Sequence, residues 1–77
     1  MAIKVKYFAN LRELIGRSED SIEFRDGLSI AAIWDMVRGD VHDNTAYLAA
    51  LNMEYANNDT TVKDGDEVAF FPKVSGG

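Results

Sequence analysis

Between Ser29 and Gly39 the apolar residues Ile30, Ile33, Trp34 and Val37 recur at the spacing of one helical face, and on both sides of that segment the apolar pattern changes to period two. A helix with one apolar stripe must bury it, and strands with one apolar face offer the surface to bury it against. The pattern therefore predicts a helix laid across a sheet. Ser29 is placed to cap the first amides and Gly39 to end the last turn. An indole on such a stripe belongs to the core, so Trp34 is read as packing and not as recognition. The chain has no cysteine, so its 77 residues must hold together through this one core without disulfides.

Ile3, Val5 and Tyr7 alternate with Lys4 and Lys6, which predicts a half-buried first strand. Asn10 precedes Leu11-Arg12-Glu13-Leu14-Ile15, with Gly16 as a left-handed stop. Asn10 is the expected N-cap of this short helix, Glu13 its capping-box partner, and Leu11, Leu14 and Ile15 its buried face. Arg12 is read as part of an exposed face. Ile22 and Phe24 alternate with Glu23 and Arg25 before Asp26-Gly27, predicting a second strand antiparallel to the first. Propensity alone allows a helix over 46–51. Strands near Tyr47–Asn52 and Glu54–Ala56 are preferred, because Asn52 suits a tight turn and Asn57-Asn58-Asp59 is a turn cluster. After the Asp64-Gly65 turn, Glu67–Phe71 reads as the last strand, with Val68 and Phe70 on one face, Ala69 and Phe71 on the other, and Pro72 at its end. The expected architecture is α+β, a mixed sheet of about five strands with one main crossing helix. Residues 1–72 form the folded domain and 73–77 a flexible C-terminal tail.

Charge and composition exclude several classes of function. Thirteen acidic against eight basic side chains give a net charge of −5, the wrong sign for holding a phosphate backbone, so no nucleic-acid partner is expected. Without cysteine there is no thiolate nucleophile, and the single histidine, His42, lies between Asp40 and Asp43 in a segment read as a solvated loop, so no metal site is assigned. No Ser, His and Asp arrangement supports an independent active site. No run has the length of a membrane span or the shape of a signal peptide, which points to a cytoplasmic protein with no membrane partner.

The remaining candidate is the end of the chain. Gly76-Gly77 has no Cβ to obstruct entry into a narrow cleft, and the five residues after Pro72 could carry a terminal carboxylate roughly 17 Å from the domain at about 3.4 Å per residue. Taken alone, a glycine-rich end favours the reading of a frayed terminus.

Two blocks carry a resemblance. The opening Tyr7-Phe8-Ala9 with Leu11-Arg12-Glu13-Leu14-Ile15-Gly16, and the closing Asp64-Gly65-Asp66-Glu67-Val68-Ala69-Phe70-Phe71-Pro72-Lys73-Val74-Ser75-Gly76-Gly77, resemble the small, sulfur-carrying subunit of molybdopterin synthase. The resemblance implies a ubiquitin-like β-grasp fold. It also implies that a ubiquitin-activating-like adenylyltransferase, using ATP and magnesium, converts the Gly77 carboxylate into an acyl-adenylate, that a persulfide sulfur donor turns this into a thiocarboxylate, and that the large synthase subunit accepts the tail for sulfur transfer to cyclic pyranopterin monophosphate. No cofactor would be held permanently, and the chain would be a sulfur-donating subunit, not a catalyst by itself. Where the family commonly has a second proline this chain has Lys73, which leaves the tail looser and adds a positive charge.

Gly77 is then the reacting residue and Gly76 its access. Phe8, Tyr55 and Phe71 are the expected apolar anchors for the large subunit, with Pro72, Lys73, Val74 and Ser75 leading the tail into it; core packing is the competing reading of each aromatic. Asp64, Asp66 and Glu67, taken as lying near the tail, are candidates for steering a basic partner or simply turn and solubility residues. A thiazole-type sulfur carrier and a ubiquitin-like protein modifier share the same terminal chemistry, and an interaction module with an inert tail is the plainest alternative.

Overall fold

The computed structural model describes residues 2–41 and 46–73. Seven elements follow in order: β1 (Ala2–Tyr7), α1 (Ala9–Ile15), β2 (Glu19–Glu23), α2 (Ile30–Val37), β3 (Tyr47–Leu51), β4 (Glu54–Ala56) and β5 (Glu67–Pro72). The strands form one mixed sheet in the order β2-β1-β5-β3-β4. The central strand β5 runs parallel to β1, with Val5 opposite Val68 and Tyr7 opposite Phe70, and antiparallel to β3, with Ala49 opposite Phe70. The outer pairs β1–β2 and β3–β4 are both antiparallel. This is the ubiquitin-like β-grasp arrangement.

Period-two alternation decides which side of the sheet each residue faces. Ile3, Val5 and Tyr7 of β1, Val68 and Phe70 of β5 and Ala49 of β3 point to one face, where they pack with Ile30, Ile33, Trp34 and Val37 of α2. Phe70 is at the centre: its ring stacks near Tyr7 at 6.4 Å and meets Trp34 at 5.3 Å and Tyr47 at 5.1 Å. Trp34 is only 2% exposed, which settles it as core.

The start of α2 is closed on three sides. Ser29 Oγ accepts from Ala32 N at 3.1 Å as the expected cap, while Ile30 N and Ala31 N donate to the carbonyls of Thr60 and Asn58. The segment after β4 thus takes up amides that a helix cannot satisfy itself. At the other end, Arg17 Nη2 donates to Val37 O at 3.1 Å, tying the helix to the residues before β2.

Three expectations about local structure are corrected. Helix α1 begins at Ala9 with Phe8 at the N-cap and no side-chain cap, so Asn10 and Glu13 do not form a capping box. The reason is the sheet: Phe8 N donates to Phe70 O at 3.1 Å, extending the β1–β5 ladder, and Ala9 turns the chain at φ 51 before Asn10 is reached. Leu14 is 58% exposed, because seven residues present only a narrow stripe and the sheet takes the Leu11–Ile15 side of it. Strand β2 starts at Glu19 and stops before Phe24, which still packs half-buried against the core. Gly16, by contrast, ends α1 at φ 86 as expected, donating to Arg12 O.

Candidate functional site

The face of the sheet opposite α2 is left open, and its two halves differ. On the β2–β1 side it carries Lys4, Lys6, Glu19, Ser21 and Glu23, the polar positions of the two alternating strands. On the β5–β3–β4 side the same alternation places Ala69 and Phe71, Leu48 and Ala50, and Tyr55. Phe8, one step beyond β1, keeps the parity of Lys4 and Lys6 and joins this apolar half.

Three rings meet there. Phe71 lies edge-on to Phe8 at 5.7 Å and edge-on to Tyr55 at 5.9 Å, so one β5 side chain bridges aromatics that flank β5 on either side of the same face. Among the described residues the exposed large apolar side chains are Phe8, Leu48, Met53 and Tyr55 on this face, and Leu14 and Met36 elsewhere. Such concentration is uncommon on a surface with nothing to bind. Phe8, Tyr55 and Phe71, with Met53 at the rim, enclose a shallow hollow of about 400 Å³ whose floor is Ala50 and Ala69. The small floor residues follow from the register, since Ala50 and Ala69 are direct cross-strand partners. Lys6 and Glu67, paired at 3.6 Å, form its polar border.

The hollow leads toward the chain end. Phe71 is followed by Pro72, opposite Tyr47, and by exposed Lys73. Val74, Ser75, Gly76 and Gly77 lie outside the described residues, as does His42. The acidic group reads differently from its sequence position. Asp64 and Asp66 lie just before β5, Glu67 begins it and the tail leaves its end, so the five steps from Glu67 to Pro72, about 17 Å at about 3.3 Å each, separate this group from the tail. Proximity in sequence was misleading because the intervening residues are fully extended.

The Asp66 side chain and the Glu67 backbone brace the β3–β4 turn. Asn52 Nδ2 donates to Asp66 Oδ1 at 3.0 Å, Glu67 N donates to Asn52 Oδ1 at 3.0 Å, and Asn52 N donates to Glu67 O at 2.8 Å. With Lys63 N also donating to it at 2.7 Å, the Asp66 carboxyl is held below the usual carboxylate range, first by the Asn52 amide and then by the Lys63 amide. The sequence signalled Asn52 as a turn residue but gave no sign of this brace.

A second polar cluster was not anticipated. Tyr7 Oη donates to Asp20 Oδ2 at 2.8 Å on the inner edge of the sheet, and Arg17 pairs with the same oxygen at 2.7 Å. Burial, then the Asp20 carboxylate, raise the Tyr7 phenol well above its ordinary value. This group joins β1, β2 and the end of α2, which is a structural task. Among the described residues no three acidic or imidazole side chains converge as metal ligands, and no helix is long and apolar enough to cross a membrane.

An apolar face with a shallow aromatic hollow, beside a strand that leads to the tail, can grip another protein. The ThiS family profile matches residues 5–77. The molybdopterin synthase sulfur carrier subunit of Chlamydomonas reinhardtii is 38% identical, with all of both chains covered. The protein of the same description from Escherichia coli K12 is 35% identical over 97% of this chain and 99% of its own. The solved structure of a putative molybdopterin converting factor, subunit 1, from Pyrococcus furiosus is 31% identical and superposes with a TM-score of 0.81, covering 96% of this chain and 99% of that one. The chain therefore belongs to the ThiS family, and within it is similar from end to end to molybdopterin synthase sulfur carrier subunits.

Proposed function

We propose that this chain is the sulfur carrier of molybdenum cofactor biosynthesis, loaded and discharged at the Gly77 carboxylate while the open aromatic face holds its protein partners. The observation that carries the reading is the end-to-end similarity to molybdopterin synthase sulfur carrier subunits, a match that takes in Gly76-Gly77. The aromatic hollow beside the strand that leads to those residues supports it.

A carboxylate resists nucleophiles because it is already negative and would have to expel oxide. Adenylation removes both obstacles: a ubiquitin-activating-like enzyme, with ATP and magnesium bound on that enzyme, joins AMP to the Gly77 carboxylate and releases pyrophosphate. The terminal sulfur of a persulfide donor then forms a bond to the acyl carbon as AMP leaves. A second thiol cleaves the resulting S–S bond and leaves the thiocarboxylate. With no cysteine in the chain, sulfur has no other covalent seat. In the complex with the large synthase subunit, Phe8, Tyr55 and Phe71 anchor the body, and Pro72, Lys73, Val74 and Ser75 lead Gly76 and Gly77 to cyclic pyranopterin monophosphate. The large subunit supplies the cationic and acid–base groups. Glycine at the tip admits the tail where a Cβ would collide.

Intact-mass spectrometry after incubation with the activating enzyme, ATP, magnesium and a persulfide donor tests the loading step. The expected product is heavier by the exchange of one oxygen for one sulfur at Gly77. An unchanged mass with active cognate enzymes contradicts the reading, and Gly-Gly-modified lysines on other proteins, lost when Gly77 is deleted, would replace it with a protein modifier.

A further inference from the structure

The β3–β4 turn contains a local conflict. Asn52 and Met53 occupy its two central positions with φ 50 and φ 73, the primed geometry that suits a two-residue hairpin. Asparagine tolerates the first position and is locked there by its bonds to Asp66 and Glu67. The second position favours glycine, because a Cβ at positive φ crowds the neighbouring backbone. Met53 occupies it nonetheless, and its side chain is 92% exposed, so the fold recovers nothing from the long apolar group that it strains the backbone to carry.

Placement gives the conflict a meaning. Among the described residues the non-glycine positions with positive φ are Ala9, Asn52 and Met53. Ala9 directly follows Phe8, and the Asn52-Met53 turn precedes Tyr55, so the strained backbone flanks the aromatic hollow on both sides. Met53 itself lines the hollow. Backbone strain that packing does not reward is characteristically kept where a contact needs it. Methionine is unbranched and polarizable, and moulds itself to an opposing apolar surface.

We infer that Met53 is a partner-contact residue, a pliable apolar arm on the rim of the aromatic hollow that closes over an apolar side chain of the large synthase subunit. This rests on the sulfur-carrier reading. The large subunit is assigned as the occupant because Phe71, which lines the hollow, is followed directly by Pro72 and Lys73 at the start of the tail, so a protein that receives the tail lies against the hollow at the same time. Met53 thereby adds a contact, and selectivity, that the aromatic anchors do not supply.

The test is calorimetric titration of the full chain with the large molybdopterin synthase subunit of the same organism, and in parallel with the activating enzyme. Met53→Gly relaxes the turn and Met53→Asn tolerates it, and both remove the apolar arm. Each is expected to bind the large subunit about ten-fold more weakly, while Met53→Leu stays close to wild type. Met53→Gly should also melt about 2–8 °C higher, since release from a strained φ outweighs the added freedom of the unfolded chain. Wild-type affinity in both Met53→Gly and Met53→Asn overturns the inference and leaves the carrier reading intact. Weakened binding to the activating enzyme alone overturns the assigned occupant. No binding of wild type to the large subunit overturns the carrier reading and this inference together.

Discussion

Phe70 and Phe71 are adjacent, chemically identical and predicted to differ sharply on truncation. Phe70 is fully buried among Tyr7, Trp34 and Tyr47, so Phe70→Ala opens a cavity bounded by aromatics on three elements and costs about 3–5 kcal/mol. A 77-residue domain has about 4–12 kcal/mol in all at 0.05–0.15 per residue, so that single change removes a large share of it. Phe71 lies on the open face, half-buried, with edge contacts to Phe8 and Tyr55. Its truncation forfeits those contacts and partial burial, about 1–2 kcal/mol. Urea denaturation followed by circular dichroism gives both values, and thermal melting gives about 4–8 °C per kcal/mol. Phe71→Ala is expected to remain folded and lose affinity for the large synthase subunit. Equal destabilisation by the two substitutions would refute the face assignment, and with it the argument that the open side of the sheet is a grip.

Other perturbations probe the supports of that face. Asn52→Ala deletes the side-chain bonds to Asp66 and Glu67 and should cost about 1–2 kcal/mol in urea unfolding, in a turn where alanine also tolerates positive φ poorly. The raised Tyr7 phenol has a pH signature: its contribution is complete below the ordinary value of 10.0, where folded and unfolded forms are both protonated, and is lost as pH rises toward the folded value. Stability should therefore fall above pH 10 more steeply in wild type than in Tyr7→Phe, and identical slopes would contradict the raised phenol.

Much of this architecture was legible because strand alternation and the α2 stripe are direct consequences of what each element buries. Ile3, Val5, Tyr7, Val68 and Phe70 fall on the core face for the same reason that Phe8, Phe71 and Tyr55 fall on the other. The misreadings share one cause, reliance on neighbours in sequence. Asn10 has the chemistry of a cap, but a ladder bond from Phe8 to a strand more than sixty residues away starts the helix earlier. Leu14 has helical spacing, but the sheet determines which part of a two-turn stripe is covered. Asp64, Asp66 and Glu67 precede the tail by a few residues, yet an extended strand carries them to the opposite end of the sheet. Met53 gave no signal at all, since only the turn geometry shows what its backbone tolerates. For the anchors, the structure brings Phe8, Tyr55 and Phe71 together, and what binds them is a question for partners.

The most direct test of the carrier is a reconstitution with purified large synthase subunit, cyclic pyranopterin monophosphate and this chain loaded as the Gly77 thiocarboxylate. The account predicts that dithiolene-bearing pterin forms in proportion to the loaded chain, that Gly77 returns to a carboxylate, and that Phe71→Ala slows the transfer. Loaded chain that leaves the pterin unchanged beside an active large subunit, yet gives up its sulfur to thiazole synthesis, would contradict it.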